Sequence, residues 1–391
     1  MVDTPQENGA PTVEVGDLLR RLDRGDDVLL LDVRNDEEYQ NWKFEAQQPI
    51  ETVHIPYFDF IEDMEGSVAK VPKDREVVVL CAKGGSSEMI VEMLGEGGLP
   101  CKNIRGGMIA YGEYLQPVEV PLPAEQAQRF QVWQVNRRGK GCLSYVIVSG
   151  NEAVVVDPSR QVDWYQDFVA RKGARIVQVL DTHVHADHVS GGPKLGKELD
   201  VPYFVSAGEG FDLKHDATPP EHGDHIRVGG KNGVDLEVRV IRTPGHTPGS
   251  ISYLVDGAYF LTGDTLFVAS VGRPDLGGHV EEWGKTLFDT LTSKLAALRD
   301  ETVILPAHYG GVREIGTEGI VVGQLGLLRQ SVPELQVPTA EAFVDAVRAA
   351  VKDPPEAYSE IIKVNLGEAA PEEKIGEWEL GKNQCAMSAH R

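Results

Sequence analysis

A cluster of histidines and one aspartate directly follows an apolar stretch, and it constrains the fold more than any other feature of the chain. Residues 176–180 read Ile-Val-Gln-Val-Leu, and residues 182–188 read Thr-His-Val-His-Ala-Asp-His. A buried β-strand that ends in three imidazoles and a carboxylate is costly unless a cation takes up their lone pairs. We therefore predict a metal-binding loop at a strand end, and the alternative is a solvated His-rich turn.

Three later segments carry further metal-ligand side chains. Each lies at or just beyond the end of an apolar, strand-like run: His246 in residues 243–250, Asp264 in 261–266 and His308 in 304–309. Together with the first loop, these segments resemble the metallo-β-lactamase superfamily over residues 126–391. That resemblance implies an α+β fold, an αββα sandwich with its metal centre along one edge of two packed sheets.

Length and composition indicate a globular, multidomain protein. The chain has 391 residues, of which 41% are hydrophobic, and this is enough for two or three domains with cores of their own. No apolar run approaches the length of a membrane span, and residues 1–10 lack a basic segment followed by an apolar one. Four scattered cysteines are typical of free thiols in a reducing compartment. We expect a cytoplasmic protein that does not bind membranes.

The net charge restricts the class of partner. A formal charge of −23 repels phosphates, which disfavours nucleic acids and anionic membranes. We therefore expect small-molecule partners. The sequence leaves a homodimer open.

A proline-rich stretch predicts a domain boundary. Residues 116–124 contain Pro117, Pro121 and Pro123, which oppose regular structure. Upstream, a helix at 13–23, strands at 28–33 and 77–81 and a helix at 87–94 alternate as a small parallel α/β unit. We predict an N-terminal tail at 1–11, a first domain at 12–118, a linker at 119–125 and a second domain at 126–391.

The first domain contains a cysteine in a loop suited to anions. Cys81 ends a predicted buried strand and precedes a glycine turn and a helix that starts near Ser86. Backbone N–H groups, the helix N-terminus and Lys83 would favour a thiolate and hold an anionic persulfide or sulfite. We predict Cys81, Lys83 and Ser86 as catalytic residues and Gly84 and Gly85 as substrate-binding residues.

This loop and residues 30–39, Leu-Leu-Asp-Val-Arg-Asn-Asp-Glu-Glu-Tyr, resemble a rhodanese domain covering residues 12–118. The resemblance implies an α/β fold, a parallel sheet with flanking helices, and it matches Cys81 to the sulfur-accepting cysteine. Residue 86 is serine where many members have arginine, so Lys83 is the only cation of the loop. We interpret the other cysteines, Cys101, Cys142 and Cys385, as structural or incidental.

Two metal centres are compatible with the second domain. His183, His246 and Asp264 would form a two-His, one-carboxylate face with open positions, which suits an Fe(II) ion that activates O2. A second ion beside the first, with Asp264 as the bridge, would instead suit two Zn(II) ions and hydrolysis of a thioester or phosphodiester. The residues that would hold this second ion are His185, Asp187, His188 and His308. Ligand identity alone leaves both alternatives open.

The whole chain resembles persulfide dioxygenases fused to rhodanese domains. That resemblance implies one Fe(II) per chain and oxidation of a low-molecular-weight thiol persulfide by O2 to sulfite and thiol. It also implies sulfane-sulfur transfer at Cys81, which links sulfite and thiosulfate. By the same resemblance His183, His246 and Asp264 match iron ligands, and Arg273 matches a basic residue near the substrate.

We add Tyr309, next to His308, as a substrate-binding residue, and interpret His185, Asp187, His188 and His308 as groups that orient the ligands and the persulfide. Pro274 departs from that family, which has a hydroxyl residue there. The alternatives are a di-zinc thioester hydrolase of the glyoxalase II type with an accessory sulfurtransferase domain, and a non-catalytic sulfur-relay or persulfide-sensing protein.

Overall fold

The computed structural model describes residues 10–208, 211–229, 236–350, 354–355 and 357–386. These residues form two compact units. The first extends to Gln116 and also contains Arg137–Lys140 and Leu380–Lys382. The second contains Pro117–Asn136, Gly141–Glu379 and the described residues from Asn383 onwards.

The first unit is built on a five-stranded sheet in the order β1-β5-β4-β2-β3, and every pairing in it is parallel. Its strands are β1 (Thr12–Val13), β2 (Val28–Asp32), β3 (Thr52–His54), β4 (Glu76–Leu80) and β5 (Cys101–Ile104). Its helices are α1 (Val15–Asp23), α2 (Asp36–Asn41), α3 (Tyr57–Glu62), α4 (Met64–Ala69), α5 (Gly85–Glu96) and α6 (Gly107–Glu113).

Helices cover both faces of this sheet because its central strands are apolar throughout. Val77 and Val79 of β4 pack into one hydrophobic cluster, and Val78 and Leu80 pack into the other. This alternation is typical of a parallel strand that is buried on both faces. The predicted parallel α/β domain is therefore confirmed, although the first helix begins only at Val15 because β1 pairs with β5.

The second unit contains two six-stranded sheets, in the orders β11-β10-β9-β8-β7-β6 and β12-β13-β14-β15-β16-β17. The first sheet has β6 (Leu115–Glu119), β7 (Gln131–Arg137), β8 (Cys142–Ser149), β9 (Glu152–Val156), β10 (Arg175–Leu180) and β11 (Tyr203–Phe204). The second sheet has β12 (His225–Val228), β13 (Leu236–Arg242), β14 (Ile251–Val255), β15 (Tyr259–Gly263), β16 (Val303–Pro306) and β17 (Gly323–Gln324).

In the part of the chain that the structure describes, eight α-helices accompany these sheets: α7 (Ala124–Ala127), α8 (Val162–Arg171), α9 (Gly192–Leu199), α10 (Val280–Asp289), α11 (Leu325–Ser331), α12 (Ala340–Ala350), α13 (Ala357–Asn365) and α14 (Glu372–Trp378). Helices α8 and α9 pack on β10 of the first sheet. Leu287 of α10, Leu325 of α11 and Phe343 of α12 share a cluster with Phe260 of the second sheet.

The main core lies between the two sheets. Tyr145 and Val154 of the first sheet and Val240 and Tyr253 of the second belong to one buried cluster. Apolar side chains from facing strands fill the space between them, as in other two-sheet sandwiches. The predicted αββα sandwich is therefore confirmed.

The proline-rich boundary is more regular than we expected. Pro117 lies within β6, at the edge of the first sheet. A proline is tolerated in an edge strand because its missing N–H is not needed for a second ladder.

Strand direction brings the candidate ligand loops to one edge. β13 and β15 are each antiparallel to β14, and β16 is parallel to β15. The carboxyl ends of β13, β15 and β16 therefore point the same way, and the loops with His246, Asp264 and His308 follow them. His183 follows β10 of the other sheet. Within the described residues, every helix is too short or too polar to cross a membrane.

Candidate functional site

His183, His246 and Asp264 come together in the second unit and have the spacing of a metal site. All three are buried, and their ligand atoms lie within 4.8 Å of one another. Asp264 Oδ2 lies 3.7 Å from His183 Nε2 and 3.4 Å from His246 Nε2. Ligand atoms that share one ion at about 2.1 Å lie about 3.0 to 3.4 Å apart. A small contraction would therefore seat one cation among these three atoms, which we call the triad.

Two atoms of the triad are buried without a hydrogen-bond partner: His183 Nε2 and Asp264 Oδ2. A buried polar atom that lacks a partner is costly, and a bound cation would remove that cost. The chemistry of the donors fits as well, because two imidazole nitrogens and one carboxylate oxygen suit Fe(II) and Zn(II) alike.

Hydrogen bonds to the second ring nitrogens direct both Nε2 lone pairs into the triad. His246 Nδ1 donates to the carbonyl oxygen of Arg273 at 2.8 Å. His183 Nδ1 donates to Thr182 Oγ1 at 2.9 Å, and that hydroxyl donates to Asp157 at 3.0 Å. Because Nδ1 carries the proton in each ring, Nε2 remains a free ligand.

Burial also keeps these imidazoles neutral. It lowers the pKa of His183 well below its usual value, and it lowers the pKa of His246. Burial alone would raise the pKa of Asp264, but the neighbouring imidazoles of His308 and His183 outweigh it and lower that pKa. The triad thus presents two neutral nitrogens and one carboxylate, the protonation states that bind a divalent ion.

A second buried cluster adjoins the triad and satisfies its own polar atoms. Asp187 Oδ2 accepts hydrogen bonds from Cys142 Sγ at 2.9 Å and from His308 Nε2 at 3.0 Å. Asp187 Oδ1 accepts from His188 Nδ1 at 3.1 Å. His308 Nδ1 donates to Asp264 Oδ1 at 2.6 Å, so Asp264 connects this cluster to the triad.

Two imidazoles of the second cluster favour the charged form. Burial lowers the pKa of His308, but Asp187 and Asp264 more than compensate and raise it well above its usual value. For His188, burial is likewise outweighed by the Asp187 carboxylate, and the pKa rises to about 10.

His185 lies beside the triad, and a hydrogen bond to Asp157 holds its ring. Its Nε2 donates to Asp157 Oδ1 at 3.2 Å, and its Nδ1 is buried without a partner. The rings of His185 and His183 have centroids 4.2 Å apart. Our sequence reasoning missed Asp157 and Asp181, which accompany His185 in this group. The available signal was their position, since each is the acidic residue directly after a buried strand, β9 and β10 respectively.

Cys142 and Cys385 belong to the same region, although we interpreted them as structural or incidental. Cys142 bonds to Asp187, and Cys385 Sγ lies within 4.8 Å of ligand atoms of Asp264 and His308. Burial and the carboxylates of Asp187 and Asp264 raise the pKa of the Cys385 thiol well above its usual value. Nothing in the sequence places either cysteine here, because Asp187, Asp264 and His308, the residues that they adjoin, lie far from them along the chain.

The predicted substrate-binding residues Arg273 and Tyr309 are both buried and hydrogen-bonded. The Arg273 guanidinium donates to both carboxylate oxygens of Asp275, at 2.9 and 2.6 Å, and to the Gln384 carbonyl oxygen at 3.3 Å. The Tyr309 hydroxyl donates to Asn136 Oδ1 at 3.0 Å. Through its own carbonyl oxygen, Arg273 also orients His246.

Cys81 lies in the first unit, between β4 and α5. Its sulfur accepts hydrogen bonds from the Gly84 N–H at 3.0 Å and from the Ser87 hydroxyl at 3.0 Å. The loop turns at Gly84, whose φ of +98° favours glycine. Gly85 begins α5, and the side chains of Lys83 and Ser86 are exposed. Two donors therefore face a sulfur atom at a helix N-terminus, where negative charge is stabilised.

Further residues that the sequence did not single out hold this loop in place. Asn103 Nδ2 donates to the Gly84 carbonyl oxygen at 3.0 Å, and Ser87 lies 2.7 Å from Asn103 Oδ1. A Cβ atom at Gly107, whose φ is +58°, would lie 2.2 Å from the Cys81 carbonyl oxygen. Only glycine therefore fits at that position.

Comparisons with known proteins agree with this architecture. Residues 137–308 match the model of the metallo-beta-lactamase superfamily, and residues 14–113 match that of the rhodanese-like domain. The probable metallo-hydrolase YqgX of Bacillus subtilis is 28% identical over 186 residues, which are 42% of this chain and 83% of that protein.

Two crystal structures resemble the chain. A metallo-beta-lactamase from Staphylococcus aureus superposes with a TM-score of 0.55 at 28% identity. The match covers 61% of this chain and 72% of the Staphylococcus aureus chain. ETHE1 from Myxococcus xanthus superposes with a TM-score of 0.52 at 29% identity. The match covers 60% of this chain and 96% of the ETHE1 chain. With two packed sheets, a His and Asp cluster at their edge and a family model that matches residues 137–308, the chain contains a metallo-beta-lactamase fold, and a rhodanese-like domain precedes that fold.

Proposed function

We propose that this protein is an Fe(II)-dependent persulfide dioxygenase with a sulfurtransferase domain. Its second unit would oxidise a low-molecular-weight thiol persulfide: R–S–SH, O2 and H2O give R–SH, sulfite and two protons. Its first unit would transfer sulfane sulfur at Cys81. The likeness to ETHE1 and the rhodanese-like domain favour sulfur compounds as substrates.

The observation that carries this proposal is the contrast between the two clusters of the second unit. In the triad, His183 Nε2 and Asp264 Oδ2 lack hydrogen-bond partners. In the second cluster, Cys142, Asp187 and His308 bond to one another. One ion would satisfy the triad, whereas the second cluster needs none. A single ion on a two-His, one-carboxylate face keeps open positions for O2 and a substrate sulfur.

Bound Fe(II) would supply the redox chemistry of O2, and the chain's own residues would position the ion and exclude water. Asp157 acts through Thr182 to hold the His183 ring, and the Arg273 carbonyl oxygen holds the His246 ring. All three triad side chains are at most 2% exposed. This burial limits access of bulk water to the reacting sulfur.

The transfer step at Cys81 follows from the contacts of its sulfur. The Cys81 thiolate attacks the outer sulfur of thiosulfate, the new Sγ–S bond forms as the S–S bond of thiosulfate breaks, and sulfite leaves. The N–H of Gly84 and the hydroxyl of Ser87 stabilise negative charge on the sulfur. Lys83 and Ser86, exposed at the loop, would contact the anionic donor.

The decisive experiment measures O2 consumption by protein loaded with Fe(II) and, separately, with Zn(II), with glutathione persulfide as the substrate. We expect uptake with iron alone, matched by sulfite. Asp264→Ala should abolish this uptake and leave thiosulfate:cyanide sulfur transfer intact, whereas Cys81→Ser should do the reverse. Loss of both activities in a folded Asp264→Ala protein would contradict two independent sites.

A di-zinc thioester hydrolase is the second candidate. Asp187, His188 and His308 lie within 4.8 Å of one another beside the triad, and Asp264 contacts both groups, as a bridging carboxylate would. Similarity to a probable metallo-hydrolase also favours this activity. Hydrolysis of S-lactoylglutathione that depends on two Zn(II) per chain, without O2 uptake by the iron form, would support it over the dioxygenase.

A further inference from the structure

We propose that the first unit carries a docking surface for a basic protein that bears a persulfide on a surface cysteine and transfers its outer sulfur to Cys81. The surface consists of Phe58 and Ile61 of α3 and Met89 of α5, and we call it the apolar patch. The inference rests on the proposed sulfur transfer at Cys81 and adds a protein donor to it.

The apolar patch is exposed although its side chains are large. Phe58 is 71% exposed, Ile61 52% and Met89 44%. Phe58 and Ile61 lie three residues apart on one helix, so their side chains share a face. Tyr57 connects this face to Met89, because its ring centroid lies 5.5 Å from that of Phe58 and its hydroxyl donates to the Met89 sulfur at 3.2 Å. Contiguous apolar side chains in contact with water are typical of a binding surface.

Strand direction places the apolar patch at the edge of the sheet where Cys81 lies. Strands β4, β2 and β3 are neighbours in that order and run parallel. Helix α3 begins shortly after the carboxyl end of β3, and Cys81 directly follows β4. Because neighbouring strands lie about 4.8 Å apart, these two strand ends are about 10 Å from each other. Met89 is two residues beyond Ser87, whose hydroxyl donates to the Cys81 sulfur. A protein seated on the patch would therefore reach Cys81.

Acidic side chains accompany the apolar patch and determine the charge of its partner. Residues 57–69 contain four carboxylates and no lysine, arginine or histidine. All four carboxylates are on exposed residues, which are Asp59, Glu62, Asp63 and Glu65. On α5, the exposed Glu92 follows Met89 by three residues, which places both on one face. Such a negative potential attracts a partner whose own surface is basic.

The same charge argues against the other occupants of an apolar surface. A second copy of the chain has the same formal charge of −23 and would bring the same carboxylates to the contact, so the two copies would repel each other. An anionic membrane and a nucleic acid would be repelled by the carboxylates for the same reason. A basic protein gains from both the apolar contact and the opposite charge.

The transfer needs neither an oxidant nor a reductant. The Cys81 thiolate attacks the outer sulfur of the donor persulfide, the new Sγ–S bond forms, and the S–S bond of the donor breaks. The electron pair of the broken bond leaves with the donor cysteine as a thiolate, and the outer sulfur keeps its proton. The products are a persulfide on Cys81 and a thiolate on the donor, so atoms and charge balance.

Two synthetic peptides serve as the probe. Each carries one cysteine persulfide between leucines, and the two differ only in having lysines or glutamates at the remaining positions. Sulfur uptake under argon is followed by mass spectrometry as one extra sulfur on the tryptic peptide 76–83, which contains Cys81. We expect about tenfold faster uptake from the lysine peptide, because opposite charges raise the association rate, and a smaller difference at high salt.

Two double variants separate the apolar contribution from the charge. Phe58→Ser/Ile61→Ser removes apolar area at constant charge and should take up sulfur from the lysine peptide about tenfold more slowly, as when the anchors of an interface are truncated. Its thiosulfate:cyanide transfer should match the wild type, because thiosulfate is too small to use the patch. Asp59→Asn/Glu65→Gln should reduce the preference for the lysine peptide. Leu327→Ser, at a residue of α11 that is 60% exposed, is the matched control.

Equal uptake from the two peptides would overturn the proposal, and so would wild-type uptake from the lysine peptide by Phe58→Ser/Ile61→Ser. Failure of the proposed sulfur transfer is distinguishable, because it would appear as absent thiosulfate:cyanide transfer. Docking is then tested alone with a fluorescent lysine peptide that has serine in place of cysteine. Weaker binding of this peptide to Phe58→Ser/Ile61→Ser, measured by anisotropy, would support the surface, and equal binding to the variant and the wild type would contradict it.

Discussion

His308 donates from Nδ1 to Oδ1 of Asp264 at 2.6 Å, and its other nitrogen donates to Asp187 at 3.0 Å. One imidazole thus lies between two buried carboxylates. His308→Ala would leave both without their shared partner, and loss of one member of a buried ion pair costs about 3 to 5 kcal/mol. Denaturant unfolding of the metal-free protein should show this loss in the second unit. The exposed His279→Ala is the control, with an expected change within about 0.5 kcal/mol; equal stability of both variants would contradict the pairing.

Thr182 should tune metal affinity although it is not a ligand. Its hydroxyl accepts from His183 Nδ1 and donates to Asp157. Thr182→Val removes both bonds at nearly constant volume, and loss of such an orienting group lowers metal affinity by about 10- to 100-fold. Competition with a chromophoric chelator measures the affinity for Zn(II). Thr292→Val, at an exposed hydroxyl that bonds only within its own helical turn, should bind Zn(II) as the wild type does.

Acid should weaken the first unit through Glu76. A bidentate contact with Arg21, at 3.1 and 2.5 Å, lowers the pKa of Glu76 from 4.5 to about 2. Because the folded-state value is the lower one, the contribution of this pair to stability is complete above about pH 4.5 and is lost as the pH falls toward 2.

The Glu76 pair is partly exposed, so its contribution should be about 1 kcal/mol or less. Urea unfolding of wild type and Glu76→Gln at pH 6 and pH 3 measures it. The difference between the two proteins should shrink at pH 3. Glu62→Gln, at an exposed position, should show no such convergence, and a constant difference for Glu76→Gln would contradict the prediction.

Gly107 should be essential for the Cys81 loop. Gly107→Ala adds a methyl group 2.2 Å from the Cys81 carbonyl oxygen at a φ of +58°, so the loop must move. We expect loss of thiosulfate:cyanide transfer and a lower melting temperature. Gly98→Ala is the matched control, since its φ is +79° and its Cβ would meet no atom within 4 Å. It should keep transfer activity and lose only about 1 to 2 kcal/mol of stability, the cost of a side chain in the left-handed conformation.

Motifs at strand ends made much of this molecule predictable. The residues around His183, His246, Asp264 and His308 each follow an apolar run, and parallel strand directions bring such loops to one edge. The Cys81 loop was predictable for the same reason. Local patterns of this kind depend on residues that are neighbours in the sequence.

Other parts of the site depend on packing between distant segments. Cys142 donates a hydrogen bond to Asp187, which lies 45 residues away in the sequence. Cys385 lies within 4.8 Å of Asp264 because the 383–386 segment is hydrogen-bonded to Arg273 and Tyr358. Pro117 opposed a strand in the sequence, yet an edge position removes that penalty. Which strand lies at an edge and which distant residues come into contact depend on the complete topology. Patterns among neighbouring residues do not predict that topology.

The arrangement of the strands has a consequence for the apoprotein. His183 follows β10 of one sheet, whereas His246 and Asp264 follow β13 and β15 of the other. An ion held by all three residues would therefore cross-link the two sheets of the sandwich. Metal uptake and consolidation of the interface between the sheets then become a single coupled equilibrium.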